Sequence, residues 1–165
     1  MPRSSSERAT GRTQIAVVGA SKASPELTRL AYEIGRLVAE RGAVLVCGGL
    51  GGVMEEAARG AREAGGTTIG ILPGESRTDA NPWIEYAVAT GIGHGRNLAV
   101  AASGDAVIAV GGEWGTASEI AFARKLDRPV VVVGDGPAIE GAGIVRAASP
   151  EEAVELALSL VASGR

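Results

Sequence analysis

Residues 111–126 read GGEWGTASEIAFARKL and directly follow the apolar run AVIAV at residues 106–110. That run is short and rich in β-branched residues, which is typical of a buried strand. The glycines that follow it suit neither a strand nor a helix, and a helical pattern begins at Thr116. A strand, a glycine turn and a helix therefore meet here. In an open α/β sheet such a junction lies at the carboxyl edge of the strands, where ligands bind.

A second junction of the same kind lies earlier in the chain, at Gly48-Gly49-Leu50-Gly51-Gly52. It follows the predicted strand AVLVC at residues 43–47 and precedes a predicted helix from about Val53. The first N–H groups of such a helix lack internal partners and, together with the helix dipole, attract an anion, most often a phosphate. Glycines would let the backbone approach that ligand closely. The alternative is a tight turn that serves only the packing of helix on sheet.

The remainder of the chain alternates in the same way. Strands are predicted at residues 14–18, 43–47, 67–72, 105–110 and 129–133, with short strands at 83–89 and 144–145. Helices are predicted to begin at about Pro25, Val53, Arg96, Thr116 and Pro150. This alternation predicts an α/β, Rossmann-like three-layer sandwich with a central, mostly parallel sheet flanked by helices. We expect a flexible tail over residues 1–13 and a single Rossmann-like nucleotide-binding domain over residues 14–165.

Composition narrows the class of protein. Of 165 residues, 45% are apolar but only 3% are aromatic, so Val, Ile, Leu and Ala must build the core, as in parallel sheets covered on both faces. The net charge of −3 and the lack of a basic stripe argue against nucleic acid as a partner. A single cysteine excludes an internal disulfide and favours the cytoplasm. The sequence shows neither a signal peptide nor an apolar run that predicts a membrane span.

The pattern Thr116-x-x-Glu119 has two interpretations. As a capping box, Thr116 would be the N-cap and Glu119 would reach back to its N–H group. As a functional pair, Glu119 would lie one turn inside a helix that opens at the pocket, where its carboxylate could stabilise a positive transition state or polarise water. Trp114 would either stack on a base or pack against the protein.

Arg96 begins a predicted helix after Gly93-His94-Gly95. A cation there opposes the helix dipole, which a bound phosphate would explain; the alternative is a solvated surface arginine. Asn97 would face either the ligand or solvent. His94 is the only histidine, which makes a zinc site improbable, and Cys47 is expected to be a buried small apolar residue. The first turn, Gly19-Ala20-Ser21-Lys22, matches neither the G-x-G-x-x-G pattern nor a P-loop.

Two stretches resemble the Lonely Guy (LOG)-type family, often labelled "possible lysine decarboxylase", which also includes molybdenum cofactor carrier proteins. They are GGLGGVMEEAARGAREAGGTTIGILPG at residues 48–74 and GHGRNLAVAASGDAVIAVGGEWGTASEIAFARKLDRPVV at residues 93–131. The resemblance extends over about residues 14–133. No pyridoxal-phosphate lysine motif is evident, so lysine decarboxylation is not expected.

The resemblance implies roles for individual residues. The family's phosphoribohydrolases carry P-G-G-x-G-T-x-x-E and an upstream Arg-Lys pair, and they release the base and ribose 5-phosphate from nucleoside 5′-monophosphates. By position, the motif is matched at Gly112, Gly115 and Thr116. Glu119 takes the place of its catalytic carboxylate, and Arg96 takes the place of the arginine of the pair.

Three positions depart from the enzyme motif. Gly111 stands in place of proline, Glu113 in place of the second glycine, and Asn97 in place of the lysine. A negative charge and a Cβ at the phosphate turn weaken the case for hydrolysis. The chain therefore looks more like the carrier branch, whose members bind a nucleotide-like or pterin phosphate ligand.

We therefore expect a protein that binds a phosphorylated small molecule, with phosphoribohydrolysis as the alternative. The candidate ligand-binding residues are Gly19, Ser21, Gly48, Gly49, Gly51, Gly52, Arg96, Asn97, Gly111, Gly112, Glu113, Trp114, Gly115 and Thr116. The candidate catalytic residues are Arg96 and Glu119, and no metal site is expected. No cofactor is expected to be required; the ligand would be a nucleotide, phosphate or molybdopterin. The resemblance further implies a homodimer or homotetramer.

Overall fold

The computed structural model describes residues 11–136 and 139–164. It contains seven strands: β1 (Gln14–Gly19), β2 (Val44–Cys47), β3 (Thr68–Leu72), β4 (Tyr86–Ala89), β5 (Ala106–Val110), β6 (Val130–Val133) and β7 (Ile144–Ala147). It contains five α-helices: α1 (Pro25–Glu40), α2 (Val53–Glu63), α3 (Arg96–Ser103), α4 (Trp114–Lys125) and α5 (Pro150–Ser163). Two single 3-10 turns lie at Arg77–Asp79 and Gly93–Gly95. The pattern of alternating elements predicted from the sequence is confirmed.

The strands form one sheet in the order β4-β3-β2-β1-β5-β6-β7, and every pairing is parallel. The chain builds the sheet outwards from β1 to β4 and then crosses back to place β5 on the other side of β1. The strand order thus reverses between β1 and β5. In parallel α/β sheets such a reversal opens a crevice at the carboxyl ends of the two strands.

Helices cover both faces of the sheet. Ile15 and Val17 of β1 point to a cluster with residues of α1, α2 and α5, whereas Ala16 and Val18 point to a cluster with residues of α3 and α4. The central strands β1, β5 and β6 are buried on both faces, which accounts for their continuous apolar sequences. This is the predicted Rossmann-like three-layer sandwich.

Two helices begin at a serine followed by a proline. Ser24 accepts a hydrogen bond from the Leu27 N–H at 3.3 Å, and Ser149 accepts one from the Glu152 N–H at 3.1 Å. Proline suits the first helical position because its missing N–H would have no partner there. No helix in the described part of the chain has the length and apolar character needed to span a membrane.

Helix α4 begins two residues before the predicted start, and the capping box is wrong. The residue before the helix is Glu113, whose carbonyl accepts the Ala117 N–H at 2.9 Å, so Thr116 lies inside the first turn. The physical reason is the turn itself: Gly111 and Gly112, with φ of 56° and 117°, reverse the chain early enough for Trp114 to start the helix. Both Thr116 and Glu119 are buried.

The predicted tail lies mostly in residues 1–10, outside the described residues. Arg12, near its end, is fastened to the domain, since its Nε donates to the Gly42 carbonyl at 3.1 Å and its Nη1 to Thr67 Oγ1 at 3.2 Å.

Candidate functional site

A cavity of about 620 Å³ opens at the carboxyl edge of the sheet. Its walls come from the segments that follow β1, β2, β3, β4 and β5, so it occupies the crevice where the strand order reverses. Eight of the predicted site residues line it: Gly19, Ser21, Arg96, Asn97, Glu113, Gly115, Thr116 and Glu119. Segments far apart in sequence therefore converge on one volume that is large enough for a small organic ligand.

Arg96 is the central cation of the cavity. It is the first residue of α3, and only 9% of its side chain is exposed, so the alternative of a solvated surface arginine is wrong. Its Nη1 donates to Asn97 Oδ1 at 2.8 Å, while its Nε is buried without any hydrogen-bond partner among the described residues. Burial lowers the pKa of Arg96, against the opposing effect of Glu119. The protein thus holds a desolvated guanidinium whose hydrogen-bonding capacity is incompletely used.

The position of Arg96 depends on Gly48. A Cβ at Gly48 would lie 2.5 Å from Arg96 Nη1 and 2.6 Å from the Met54 sulfur. A Cβ there would force the ends of the Arg96 and Met54 side chains to shift, so the glycine after β2 leaves room for the guanidinium where it lies. Gly48 therefore acts on the site through Arg96 and is not itself among the residues that line the cavity.

Asn97 joins α3 to α4 rather than facing solvent. Its Oδ1 accepts from Arg96, and its Nδ2 donates to Ser118 Oγ at 3.4 Å. Ser118 in turn donates to the Gly115 carbonyl at 2.6 Å. This chain of hydrogen bonds fixes the Arg96 side chain relative to the start of α4.

Glu119 brings a carboxyl group to the same place. Its side chain is 10% exposed, and its Oε1 lies 3.7 Å from Arg96 Nη1. Burial raises the pKa of Glu119 to about 7, although the nearby Arg96 acts in the opposite direction. The carboxyl group therefore exchanges its proton near neutral pH. Such a group can serve as a general acid or base, or as a hydrogen-bond donor in its neutral form.

The turn after β5 shapes the wall next to Glu119. A Cβ at Gly112 would overlap the Thr116 side chain, so Thr116 packs directly under the turn, whereas the space beside Gly115 is open. Gly111 is buried against Leu27 and the backbone of Asp135 and does not line the cavity. Glu113 is exposed at the rim.

The glycine turn after β2 is held in place by Asn81, which the sequence did not single out. Asn81 Nδ2 donates to the Leu50 carbonyl, and the Asn81 N–H donates to the Gly49 carbonyl, both at 2.9 Å. Gly49, Gly51 and Gly52 do not appear among the cavity's lining residues, and Gly52 packs against the backbone of Ala20 and Ser21. Their predicted contact with a ligand stays a prediction.

Lys22 and His94 also line the cavity and were missed as binding candidates. The signal for Lys22 was its place in the first strand–helix turn, next to Ser21. Cys47 is buried, as expected, and burial raises the pKa of its thiol to about 11, so it is neutral at physiological pH. No cluster of three or more His, Cys, Asp or Glu side chains suited to a metal ion occurs within residues 11–136 and 139–164.

Trp114 is 90% exposed, so of its two alternatives the one in which it packs against the protein is wrong. It borders a second cavity of about 690 Å³ together with Gly112, Glu113, Ala117 and Asp135. Glu113 borders both cavities. An exposed indole beside a cavity offers a flat surface for stacking.

Comparison with known proteins agrees with the fold. Residues 12–159 match the model of the SLOG cluster4 family. An uncharacterised protein of Archaeoglobus fulgidus is 44% identical over 146 residues, which cover 88% of this chain and 95% of the relative.

Two solved structures are similar over nearly their whole length. The molybdenum cofactor binding protein of Rippkaea orientalis is 36% identical and has a TM-score of 0.88, with 93% of this chain and 99% of that chain covered. The molybdenum cofactor carrier protein of Chlamydomonas reinhardtii is 34% identical and has a TM-score of 0.84, with 92% and 99% covered. The predicted resemblance to the carrier branch is confirmed.

Proposed function

We propose that this chain, which belongs to the SLOG cluster4 family, binds a phosphorylated small molecule in the cavity at the carboxyl edge of the sheet. The ligand is of the molybdenum cofactor or nucleoside monophosphate type. The observation that carries this proposal is Arg96, whose guanidinium is about nine-tenths buried, lines the cavity and donates a single hydrogen bond among the described residues, to Asn97. A desolvated cation with unused donors is matched by an oxyanion, because charge-assisted hydrogen bonds to a phosphate satisfy both.

The other residues of the cavity suit such a ligand. Ser21 and Lys22 lie in the first strand–helix turn, from which a hydroxyl and an ammonium group reach the cavity. The open space beside Gly115 allows a ligand to approach the start of α4, where unpaired N–H groups favour negative charge. Similarity to two proteins described as binding or carrying molybdenum cofactor supports a ligand of that chemical type. In this proposal residues 14–165 act as one ligand-binding domain.

The proposal is tested by replacing Arg96 with methionine, which keeps much of the side-chain volume and removes the charge. Calorimetry and thermal shift with AMP, GMP and freshly released molybdenum cofactor should show binding by the wild type. Arg96→Met should weaken it at least tenfold, equivalent to about 1.4 kcal/mol, because the phosphate loses a charge-assisted hydrogen bond.

Arg128 provides the matched control. It too has a buried Nε without a partner among the described residues, but it precedes β6 at the opposite edge of the sheet. Arg128→Met removes the same charge and should leave the dissociation constant within about twofold of the wild type. Equal affinity of Arg96→Met and the wild type would contradict the proposal.

Hydrolysis of nucleoside monophosphates is the second candidate, and Glu119 is the observation that favours it. The carboxyl group lines the cavity beside Arg96 instead of capping α4, and its pKa of about 7 suits a group that gains and loses a proton during a reaction. Incubation with AMP should then release adenine and ribose 5-phosphate, and Glu119→Gln should abolish the release. Tight binding of AMP without any release of adenine would leave binding alone as the function.

A further inference from the structure

The proposed ligand and the Glu119 carboxylate would place two negative charges at one buried cation. Any anion that contacts Arg96 from the cavity also lies near Glu119, because Glu119 Oε1 is 3.7 Å from Arg96 Nη1 and both side chains line the same cavity. Both are about nine-tenths buried, so little water is available to screen the repulsion. The site therefore has to remove one of the two negative charges when it is filled.

We propose that the cavity takes up one proton, onto the Glu119 carboxylate, when it binds a dianionic ligand such as a phosphate monoester. The inference rests on the proposed function, since it concerns the same cavity. The proton comes from solvent, adds to one carboxyl oxygen and converts Glu119 from an acceptor that repels the ligand into a donor that can bond to a ligand oxygen. No covalent bond of the ligand changes.

Glu119 is available for this role because it is not engaged elsewhere. None of the hydrogen bonds found in the described part of the chain involves its carboxyl group, although Arg96 is nearby. The Asn97 side chain, by contrast, is hydrogen-bonded to both Arg96 and Ser118. Burial already raises the pKa of Glu119 to about 7, so a small additional repulsion from a bound anion is enough to retain the proton at neutral pH.

The charges around Glu119 favour the neutral carboxyl group once a dianion is bound. Arg96 faces it from α3 and Lys22 reaches the cavity from the turn after β1, so two cations match the two charges of a phosphate monoester. Cys47 is a neutral thiol, and His94 and Glu113 lie at exposed positions of the cavity wall. The remaining neighbours of α4, in β1, β5 and β6, are apolar.

The test is calorimetric titration of the whole chain with AMP. At pH 8, titrations in two buffers of different ionisation enthalpy should show net proton uptake, of at most about one proton per AMP bound, by the wild type. Because a phosphate monoester is already a dianion above about pH 7, the dissociation constant should rise with pH between pH 7.5 and 9, by at most about tenfold per pH unit.

Glu119→Gln keeps a neutral donor in place and should bind AMP with a dissociation constant that stays the same to within about twofold over that range, without taking up a proton. His94, Lys22 and Glu113 are present in both proteins, so the difference between them isolates Glu119. Glu26→Gln, at an exposed position in the first turn of α1, removes the same charge and should retain the wild-type slope.

The outcomes separate the two proposals. AMP binding by the wild type with no proton uptake and an unchanged dissociation constant between pH 7.5 and 9 overturns the proton coupling and leaves the proposed function standing. If the dissociation constant of Glu119→Gln changes with pH as that of the wild type does, the proton coupling is likewise overturned and the proposed function stands. Absence of binding of AMP, GMP and molybdenum cofactor to the wild type even at pH 6 overturns the proposed function, and the proton coupling with it. If the variant does not fold, the wild-type measurements still decide whether binding of AMP takes up a proton.

Discussion

At the scale of single residues, the candidate site centres on an arginine and a glutamate whose side chains are both about nine-tenths buried. Arg96 and Glu119 belong to different helices, and each is displaced from its ordinary pKa in the direction that burial dictates. Their separation of 3.7 Å is longer than a hydrogen bond, so the pair compensates its own desolvation incompletely. An incompletely compensated pair of this kind is what the proposed binding of an anion together with a proton requires.

The raised pKa of Glu119 has a consequence for stability without ligand. Because the folded protein holds this proton more tightly than the unfolded chain does, the contribution of Glu119 is fully present below about pH 4.5 and is lost as pH rises to about 7. The wild type should therefore lose about 2–3 kcal/mol of unfolding free energy, relative to Glu119→Gln, between pH 5 and pH 8. Urea denaturation at both values measures it; parallel pH profiles of the two proteins would refute the expectation.

At the scale of elements, α1 and α2 lie unusually close to each other. A Cβ at Gly35 of α1 would overlap the Ala57 carbonyl of α2, and a Cβ at Gly60 of α2 would overlap the Tyr32 carbonyl of α1. Glycine disfavours a helix interior by itself, so its use at both sides of the crossing reflects the close approach of the two backbones. This close approach fixes the position of α2, and α2 begins directly after the glycine turn that makes room for Arg96.

Replacing Gly35 with alanine should therefore destabilise the protein, although alanine favours a helix. The added methyl group meets backbone, which cannot rotate away, so we expect a loss of about 2 kcal/mol or more in the free energy of unfolding. Gly115→Ala, in α4, places its methyl group in open space and should be neutral or stabilising by about 0.5–1 kcal/mol. Chemical denaturation of the two variants compares them, and equal stability would rule out the close approach.

At the scale of the whole molecule, one of the two edge strands of the sheet, β4, carries exposed apolar side chains. β4 ends the sheet, and on it Tyr86 and Val88 are 59% and 49% exposed, with Ile92 also exposed just beyond. Exposed edge strands that carry apolar side chains tend to pair with another chain. The homodimer or homotetramer implied by the resemblance stays a prediction, and this edge is where it can be tested.

Light scattering at micromolar protein concentration should give two or four times the mass of one chain. The double substitution Tyr86→Lys and Val88→Lys should shift the mass towards a single chain, because charges at an edge strand oppose pairing. Leu126→Lys, at an exposed apolar residue after α4, is the control and should leave the mass unchanged. A wild type with the mass of one chain would show the expectation to be wrong.

The order of strands and helices could be predicted because it depends on local pattern: β-branched runs, helical spacing, and serine-proline starts such as Ser24-Pro25. The eight predicted residues that line the first cavity could also be found from the sequence, because parallel strands bring their carboxyl ends to one edge of the sheet. The start of α4 was missed because the reversal at Gly111 and Gly112 occurs before the helical pattern becomes visible.

The sequence by itself determined the fold class and the residues that follow each strand, because both depend on interactions between near neighbours in the chain. Only the tertiary structure decided that Arg96 is buried, that Gly48 makes room for it, that Asn81 holds the second glycine turn, and that Glu119 lies beside Arg96 instead of capping α4. Burial and the pKa values that follow from it depend on which distant segments meet. Which segments contact each other is set by the packing of helices on the sheet, and the local sequence pattern does not specify that packing.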